Sequence, residues 1–522
     1  MKITLSYILR SKTTLGYHLI CSFIIILILT SSANATTYYI DYPNSEGTSA
    51  DTNSGTSIST AWIHCPGDPR AVSYANKTLS PGDIVVFKGG ITYYTGTSPI
   101  TVNASGTVGN VITFRSGHIH GPVWGTGRAV MDATASTSNG ITMTDRHDIT
   151  IEGIQFQNLL ITPDQVAQSV NALIVAQGAS GNGNILIDNV VVTNTTVNGI
   201  EFSGTFTTST KPTGFTVKNS SIYEIGAHGI FNREGLDGIT IQNNLIHDVG
   251  HVPGNGIWVG TNDADSETTN VVISGNEIYN SHTKGCMNVQ GQNILIERNY
   301  CHGSLAFGIA IDITYTGGST RDITIRNNII DANPTLEGLI RVWTNYAGTV
   351  SNLYIYNNTL KGTGAGCTIM LGAIILPASA PNINNVVIKN NLFYIPAMGY
   401  GIKLRVAAGK TLTDWITNLS IDYNHYYYTT TAKPFLVDWV GKTFAEWKLL
   451  GYDTFSHAQN VDPNLDGFYN PLSNSSLRNA GADLSSEGFS DDKDGLQRFP
   501  GIWDIGAFVV PPRPPLNLRI IQ

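Results

Sequence analysis

Apolar and polar residues alternate along most of this chain in a recurring phrase that closes on asparagine. FTVKNSSIYEIG (215–226) is followed by ITIQNNLIHDVG (239–250), VVISGNEIYNSH (271–282) and ILIERNYCHGSL (294–305). ITIRNNIIDAN (323–333), LYIYNNTLKGT (353–363), VVIKNNLFYIP (386–396) and a weaker LSIDYNHYYY (419–428) continue the series. Alternation over four to eight residues predicts short half-buried strands, and the Gly and Asn between them predict turns. Three residues past the last aliphatic of each first strand stands Asn244, Asn276, Asn299, Asn328, Asn358, Asn391 or Asn424. The interval between copies drifts, which a coil of strands with variable loops tolerates and a fixed helical repeat does not.

A second series runs between these copies: NGITM (139–143), NALIV (171–175), NGIEF (198–202), HGIFN (228–232), NGIWV (255–259), KGCMN (284–288), FGIAI (307–311), GLIRV (338–342) and YGIKL (400–404). Strands this short cannot bury a face alone. Stacking them coil upon coil pairs each with the next and puts like residues over like. An inward asparagine at a tight turn can then bond neighbouring coils, so the paired asparagines read as architecture and not as chemistry.

With the opening YYIDYPNSEGTSADTNSGTS, the strand LSPGDIVVFKGGITY (79–93) and the closing DDKDGLQRFPGIWDIGAF (491–508), this pattern resembles the right-handed parallel β-helix proteins of the pectin-lyase-like superfamily from about Thr36 to Val510. The resemblance implies an all-β, single-stranded right-handed parallel β-helix (solenoid) of about ten or more rungs. Residues 36–510 form that domain, with an N-terminal cap over about 36–78 and a C-terminal cap over about 425–510. TFAEWKLL (443–450) is an amphipathic stretch in the second cap, and PPRPPLNLRIIQ (511–522) is a Pro-rich tail. Family members cleave acidic polysaccharides by elimination or hydrolysis, epimerise them, or only bind, so the fold does not choose an activity.

Lys2, Arg10 and Lys12 precede the apolar run CSFIIILILT (21–30) and SSANA, which predicts a signal peptide over 1–35 and an exported protein, secreted or periplasmic. A run of ten is too short to span a bilayer. The leader takes three of the 30 basic and none of the 38 acidic residues, so 27 face 38, a net −11 that does not invite nucleic acid. Cys65, Cys286, Cys301 and Cys367 are scattered and do not form a disulfide scaffold; Cys286 reads as a small buried hydrophobe. A monomer is expected.

In the second series Ile200, Ile230, Ile257, Ile309, Ile340 and Ile402 are set inward. The outward row then reads Glu201, Phe231, Trp258, Met287, Ala310, Arg341 and Lys403, and two residues later Ser203, Arg233, Gly260, Val289, Asp312, Trp343 and Arg405. Phe231, Trp258 and Trp343 offer flat faces for sugar rings, and Arg233, Arg341, Lys403 and Arg405 place positive charge on an acidic body. Together they predict a groove for an anionic polysaccharide. The plainer alternative is an Arg341–Asp312 ion pair under a covering loop.

A polysaccharide lyase is the leading expectation. Elimination needs a base for the C5 proton, a neutraliser for the carboxylate and a proton for the leaving oxygen. Lys284, His282, Arg341 and His228 are the candidate bases, and calcium, held by Asp263, Asp265 and Glu267 of TNDADSETTN (261–270), is a candidate neutraliser. The alternatives are a glycoside hydrolase using Asp312 with Asp263, Glu234 or Glu337, and a non-catalytic glycan-binding protein. The family's hydrolase signature N-T-D, D-D, G-H-G, its lyase signature W-I-D-H and its epimerase signature D-P-H-D are all absent; GAHG (226–229) and IHDVGH (246–251) are fragments only.

Overall fold

The structure, a computed structural model, describes residues 35–42, 49–161, 171–178, 183–204, 211–233, 235–260, 267–313, 317–334, 337–344, 348–373, 382–397, 399–405, 411–429, 432–458 and 461–510. Residues 1–34 of the expected leader and the tail 511–522 lie outside them. Three sheets of thirteen strands each run the length of the molecule among the described residues. Every strand of the first two pairs in parallel with its counterpart one coil on. In one coil the chain passes from the first wall (Asp237–Gln242) to the second (Leu245–Val249) and the third (Ile257–Val259), then returns to the first (Thr269–Ser274).

The alternation decides what lies inside. Ile187, Val217, Ile241, Ile273, Ile296, Ile325, Ile355 and Ile388 stack in register through the first wall, all with side chains fully buried. Burying each aliphatic side chain stabilises the coil by about 1.5–3 kcal/mol.

The paired asparagines divide the turn between them. The first takes the left-handed backbone conformation: Asn243 has φ 55°, Asn327 54°, Asn357 50° and Asn390 58°. Asparagine tolerates that region better than most residues. The second turns inward, as the sequence predicts. The Asn276 side-chain oxygen accepts from Asn244 N and Nδ2 at 3.0 and 2.9 Å, and the same bonds repeat through Asn299, Asn328, Asn358, Asn391 and Asn424. Buried amides are thus satisfied from coil to coil.

The ends are closed differently. At the start Trp62 lies buried and stacked on Tyr38 at 4.9 Å. At the far end the helix Phe444–Leu449 is N-capped by Thr443 and buries Trp447 against Phe435. The chain after residue 460 does not cover that end. It runs back along the asparagine turns: Asn327 Nδ2 donates to Asp491 O, Asn357 Nδ2 to Asp504 O and Asn390 Nδ2 to Ala482 O, at 2.8–3.0 Å. Arg298 pairs with Asp491 one coil earlier. This return segment therefore straps four successive coils.

Cys286 corrects the sequence reading. It is buried, but it is bonded to Cys301 of the next coil and is not a free hydrophobe; among the described residues Cys65 and Cys367 are the free thiols.

Candidate functional site

The third wall carries the predicted row with one slip. Ile200, Ile230, Ile257, Ile309, Ile340 and Ile402 point inward, fully buried. Ile257, however, pairs with Met287 and Trp258 with Asn288. Met287 and Val289 are therefore interior, and Asn288 faces outward where Met287 was expected. The shift by one residue exchanges every side chain between faces. The outward row reads Glu201, Phe231, Trp258, Asn288, Ala310, Arg341, Met370 and Lys403.

At its centre lies a cluster of charges. Asp312 sits beside Trp343 on strand Ile309–Ile313, and Arg341 is on the next strand, Gly338–Thr344. Arg341 Nε donates to Asp312 Oδ1 at 3.1 Å, Nη2 to Asp312 Oδ2, and Nη1 to Glu337. Its guanidinium also lies 4.3 Å over the Phe307 ring. Asn288 Nδ2 supports Asp312 Oδ2 at 3.2 Å. Burial pushes the Asp312 carboxyl above the usual range, only partly offset by Arg341. Glu337 is more open, with 37% of its side chain exposed, so two neighbouring carboxyl groups experience different solvation. Glu337 stands on the turn before the wall, where strand alternation places nothing.

His228 belongs to a second column. At the turn into the third wall, Ala172 N donates to Asn139 Oδ1, His228 N to Asn198 Oδ1, Asn255 N to His228 Nδ1 and Gly285 N to Asn255 Oδ1, at 3.0–3.2 Å. His228 takes an asparagine's place in this column. Its Nδ1 is an acceptor, and burial lowers its pKa to about 3. The ring stacks on Phe231 at 4.8 Å and meets Trp258 edge-on at 4.7 Å. Phe231 is consequently buried, whereas Trp258 remains half-exposed.

The other candidates separate. Lys284 is exposed, one residue before the position of His228 and not equivalent to it, since Asn255 aligns with Gly285. His282 is on the second wall's side, stacked on His251 at 4.4 Å and 3.8 Å from Asp248. Neither joins Asp312 and Arg341 in a hydrogen bond or ion pair. Asp263, Asp265 and Glu234 lie outside the described residues. Glu267 forms a double ion pair with Arg321 of the first wall, at 2.9 and 3.0 Å. Among the described residues no cluster of three His, Cys, Asp or Glu side chains could hold a metal ion.

Towards the C-terminal end, Arg405 lies 5.4 Å from the Trp343 ring and 4.3 Å from that of Trp439, and Lys403 Nζ lies 5.4 Å over Tyr400. Trp439 is a residue that strand periodicity does not find, because it stands at a hairpin tip. Arg233 and Glu201 lie at the opposite end of the row, Glu201 with its side chain buried and accepting from Asn198 at 3.3 Å.

A family model described as "Right handed beta helix region" matches residues 207–414. No curated protein matches the chain. Among solved structures, the family 136 glycoside hydrolase lacto-N-biosidase from Eubacterium ramulus superposes with a TM-score of 0.50 at 14% identity, over 82% of this chain and 68% of its own. XylC in complex with xylose gives a TM-score of 0.50 at 10% identity, over 92% and 99%. The fold is that of a right-handed parallel β-helix, as the sequence implied.

Proposed function

We propose that this protein is an exported, carbohydrate-active enzyme that binds a glycan along the third wall and hydrolyses it at Asp312 and Glu337. The observation that carries this reading is two carboxyl groups gripped by one guanidinium, one buried with its pKa raised and the other open to solvent. Glycoside hydrolysis needs such a pair: an acid that protonates the leaving oxygen, and an ionised partner that attacks or activates water. Asp312 and Glu337 are the two carboxyl groups available for these roles, and Arg341 holds both in place. XylC's bound xylose and the name lacto-N-biosidase are in keeping with a carbohydrate ligand on this fold.

Elimination, the leading expectation from sequence, fits this centre less well. Arg341 has its donors committed to Asp312 and Glu337, and a guanidinium does not give up its proton in proteins. His228 accepts a backbone N–H at Nδ1, and Lys284 and His282 stand apart. The positive charge of Lys403 and Arg405 still favours elimination as a second reading, since it could neutralise a uronate. Calcium at Asp263 and Asp265 remains part of that reading, whereas Glu267 is engaged by Arg321. The buried Cys286–Cys301 bond supports an oxidising compartment and thus export.

The test is incubation of the full chain with a panel of neutral and uronate-containing polysaccharides, with and without chelator. New reducing ends without ultraviolet-absorbing unsaturated product support hydrolysis. Unsaturated product supports elimination. Neither, across the panel, leaves glycan binding alone.

A further inference from the structure

The third wall ends in a two-residue hairpin whose tip breaks a strong local rule. Strands Phe435–Val437 and Val440–Lys442 pair antiparallel, joined by Asp438 and Trp439 at φ 45° and 67°. Positive φ at both central residues is the turn for which Asp-Gly or Asn-Gly is preferred, because a Cβ crowds the backbone there. Aspartate fits the first position. Tryptophan at the second is the costliest kind of exception, and its side chain is not spent on the core: Trp439 is 59% exposed. An exposed aromatic held in a disfavoured backbone conformation points to a use for its ring.

What the ring touches indicates that use. Trp439 covers the Arg405 guanidinium at 4.3 Å, and Trp343 approaches it at 5.4 Å from two coils away. Trp343 can do so because Gly372 lies between them in the register; a Cβ on Gly372 would stand 2.2 Å from the Trp343 ring. Arg405 has no carboxylate within ion-pair distance among the described residues, unlike Arg341, Arg321 and Arg298. Lys403 is its neighbour on the same strand, also without a carboxylate partner there. A half-buried arginine held by aromatic rings and not neutralised is a fixed positive charge awaiting an anion.

We propose that Trp439, Arg405 and Trp343 form a terminal subsite that stacks a sugar ring on Trp439 and pairs its anionic substituent with Arg405, so that the chain selects acidic glycans at the end of its groove. The hairpin is the last element of the wall, so Trp439 also marks where a bound chain stops. The inference rests on the third wall being a glycan-binding face, but not on the chemistry at Asp312.

The experiment uses the full-length Asp312→Asn protein, to keep ligands intact, and follows tryptophan fluorescence with oligosaccharides of galacturonate, glucuronate and guluronate, their carboxyl-reduced counterparts, and sulfated galactan oligosaccharides. Acidic oligosaccharides are expected to bind at least tenfold more tightly than their reduced counterparts. Trp439→Gly, which gives the turn its preferred residue, should weaken that binding at least tenfold without lowering the melting temperature. Arg405→Gln should remove the preference for acid over neutral ligand. Sulfated ligands that bind with the same dependence on Arg405 would assign the anion as sulfate. Equal or tighter binding of neutral ligands, or acidic binding unmoved by both substitutions, overturns the subsite. Failure of the subsite with hydrolysis intact in the Asp312 protein leaves the proposed function standing; Arg405-dependent binding without hydrolysis of any polymer sinks the proposed function alone.

Discussion

Two columns of side chains climb this molecule, and they differ in how strictly they repeat. At the turn from the first wall to the second, Asn244 to Asn424 occupy one position in seven successive coils, with the same bond linking each to the next. At the turn into the third wall, the corresponding column reads Asn139, Ala172, Asn198, His228, Asn255, Gly285, and then Phe307, Gly338, Cys367 and Tyr400. Where the column stops being asparagine, Phe307 lies under Arg341 and Tyr400 under Lys403. A position whose task is the same in every coil repeats; a position released from that task is free to shape a surface. The contrast separates scaffold from site within a single sequence.

Four experiments sharpen or break that contrast, from the largest expected effect to the smallest. Asp312→Asn or Glu337→Gln, on the varied side, should lower turnover on a responsive glycan by roughly 10²–10⁴, the usual worth of a positioned acid or base. Initial rates measure it, and a rate within a factor of three of the parent protein would remove these residues from the chemistry. Asn328→Ala, in the uniform column, should cost about 3 kcal/mol or more. It strands the Asn299 N–H, together with the carbonyls of Ile296 and Arg326 that its amide serves, in a buried turn. Denaturant titration reports the loss, and activity per folded molecule should be kept.

Replacing both Cys286 and Cys301 with alanine opens a link closed across 15 residues, for an expected loss of about 3 kcal/mol under non-reducing conditions. Melting with and without reductant checks it: reductant should lower the parent protein towards the variant. His228→Asn restores the rule in the second column and should be felt only in acid. The folded His228 stays neutral down to about pH 3, whereas the unfolded chain takes up a proton near pH 6.5. Its contribution is thus full above the unfolded value and is lost progressively as pH falls from there to about 3. At pH 5 the parent protein should have lost about 2 kcal/mol that the variant keeps. Melting temperatures at pH 5 and 7.5 compare them, and parallel profiles would show that His228 does not stay neutral.

The scaffold was legible in the sequence because it repeats. Period-two alternation fixed the interior residues of the first wall, and the NN pairs marked their own turn. The site was less legible for three separate reasons. Aligning KGCMN on its glycine put Met287 outside, whereas aliphatic parity places Asn288 there. Glu337 and Trp439 sit on turns, where alternation carries no information about facing. Cys286 and Cys301 occupy inward positions one coil apart, and only the stacking of coils brings their sulfurs together. For Asn288 and the cysteine pair the missing quantity is register between coils, which no single strand contains.

The return of residues 461–510 over four coils has a consequence for how the molecule comes apart. An open stack of coils frays from its free end, one repeat at a time, because each touches only its neighbours. Here the last segment is fastened to coils well inside the stack, through Asn327, Asn357 and Asn390. Peeling cannot begin at the C-terminal cap without first releasing that fastening. A truncation at residue 460 should therefore turn one sharp melting transition into a broader one, with protease cutting first between residues 298 and 458.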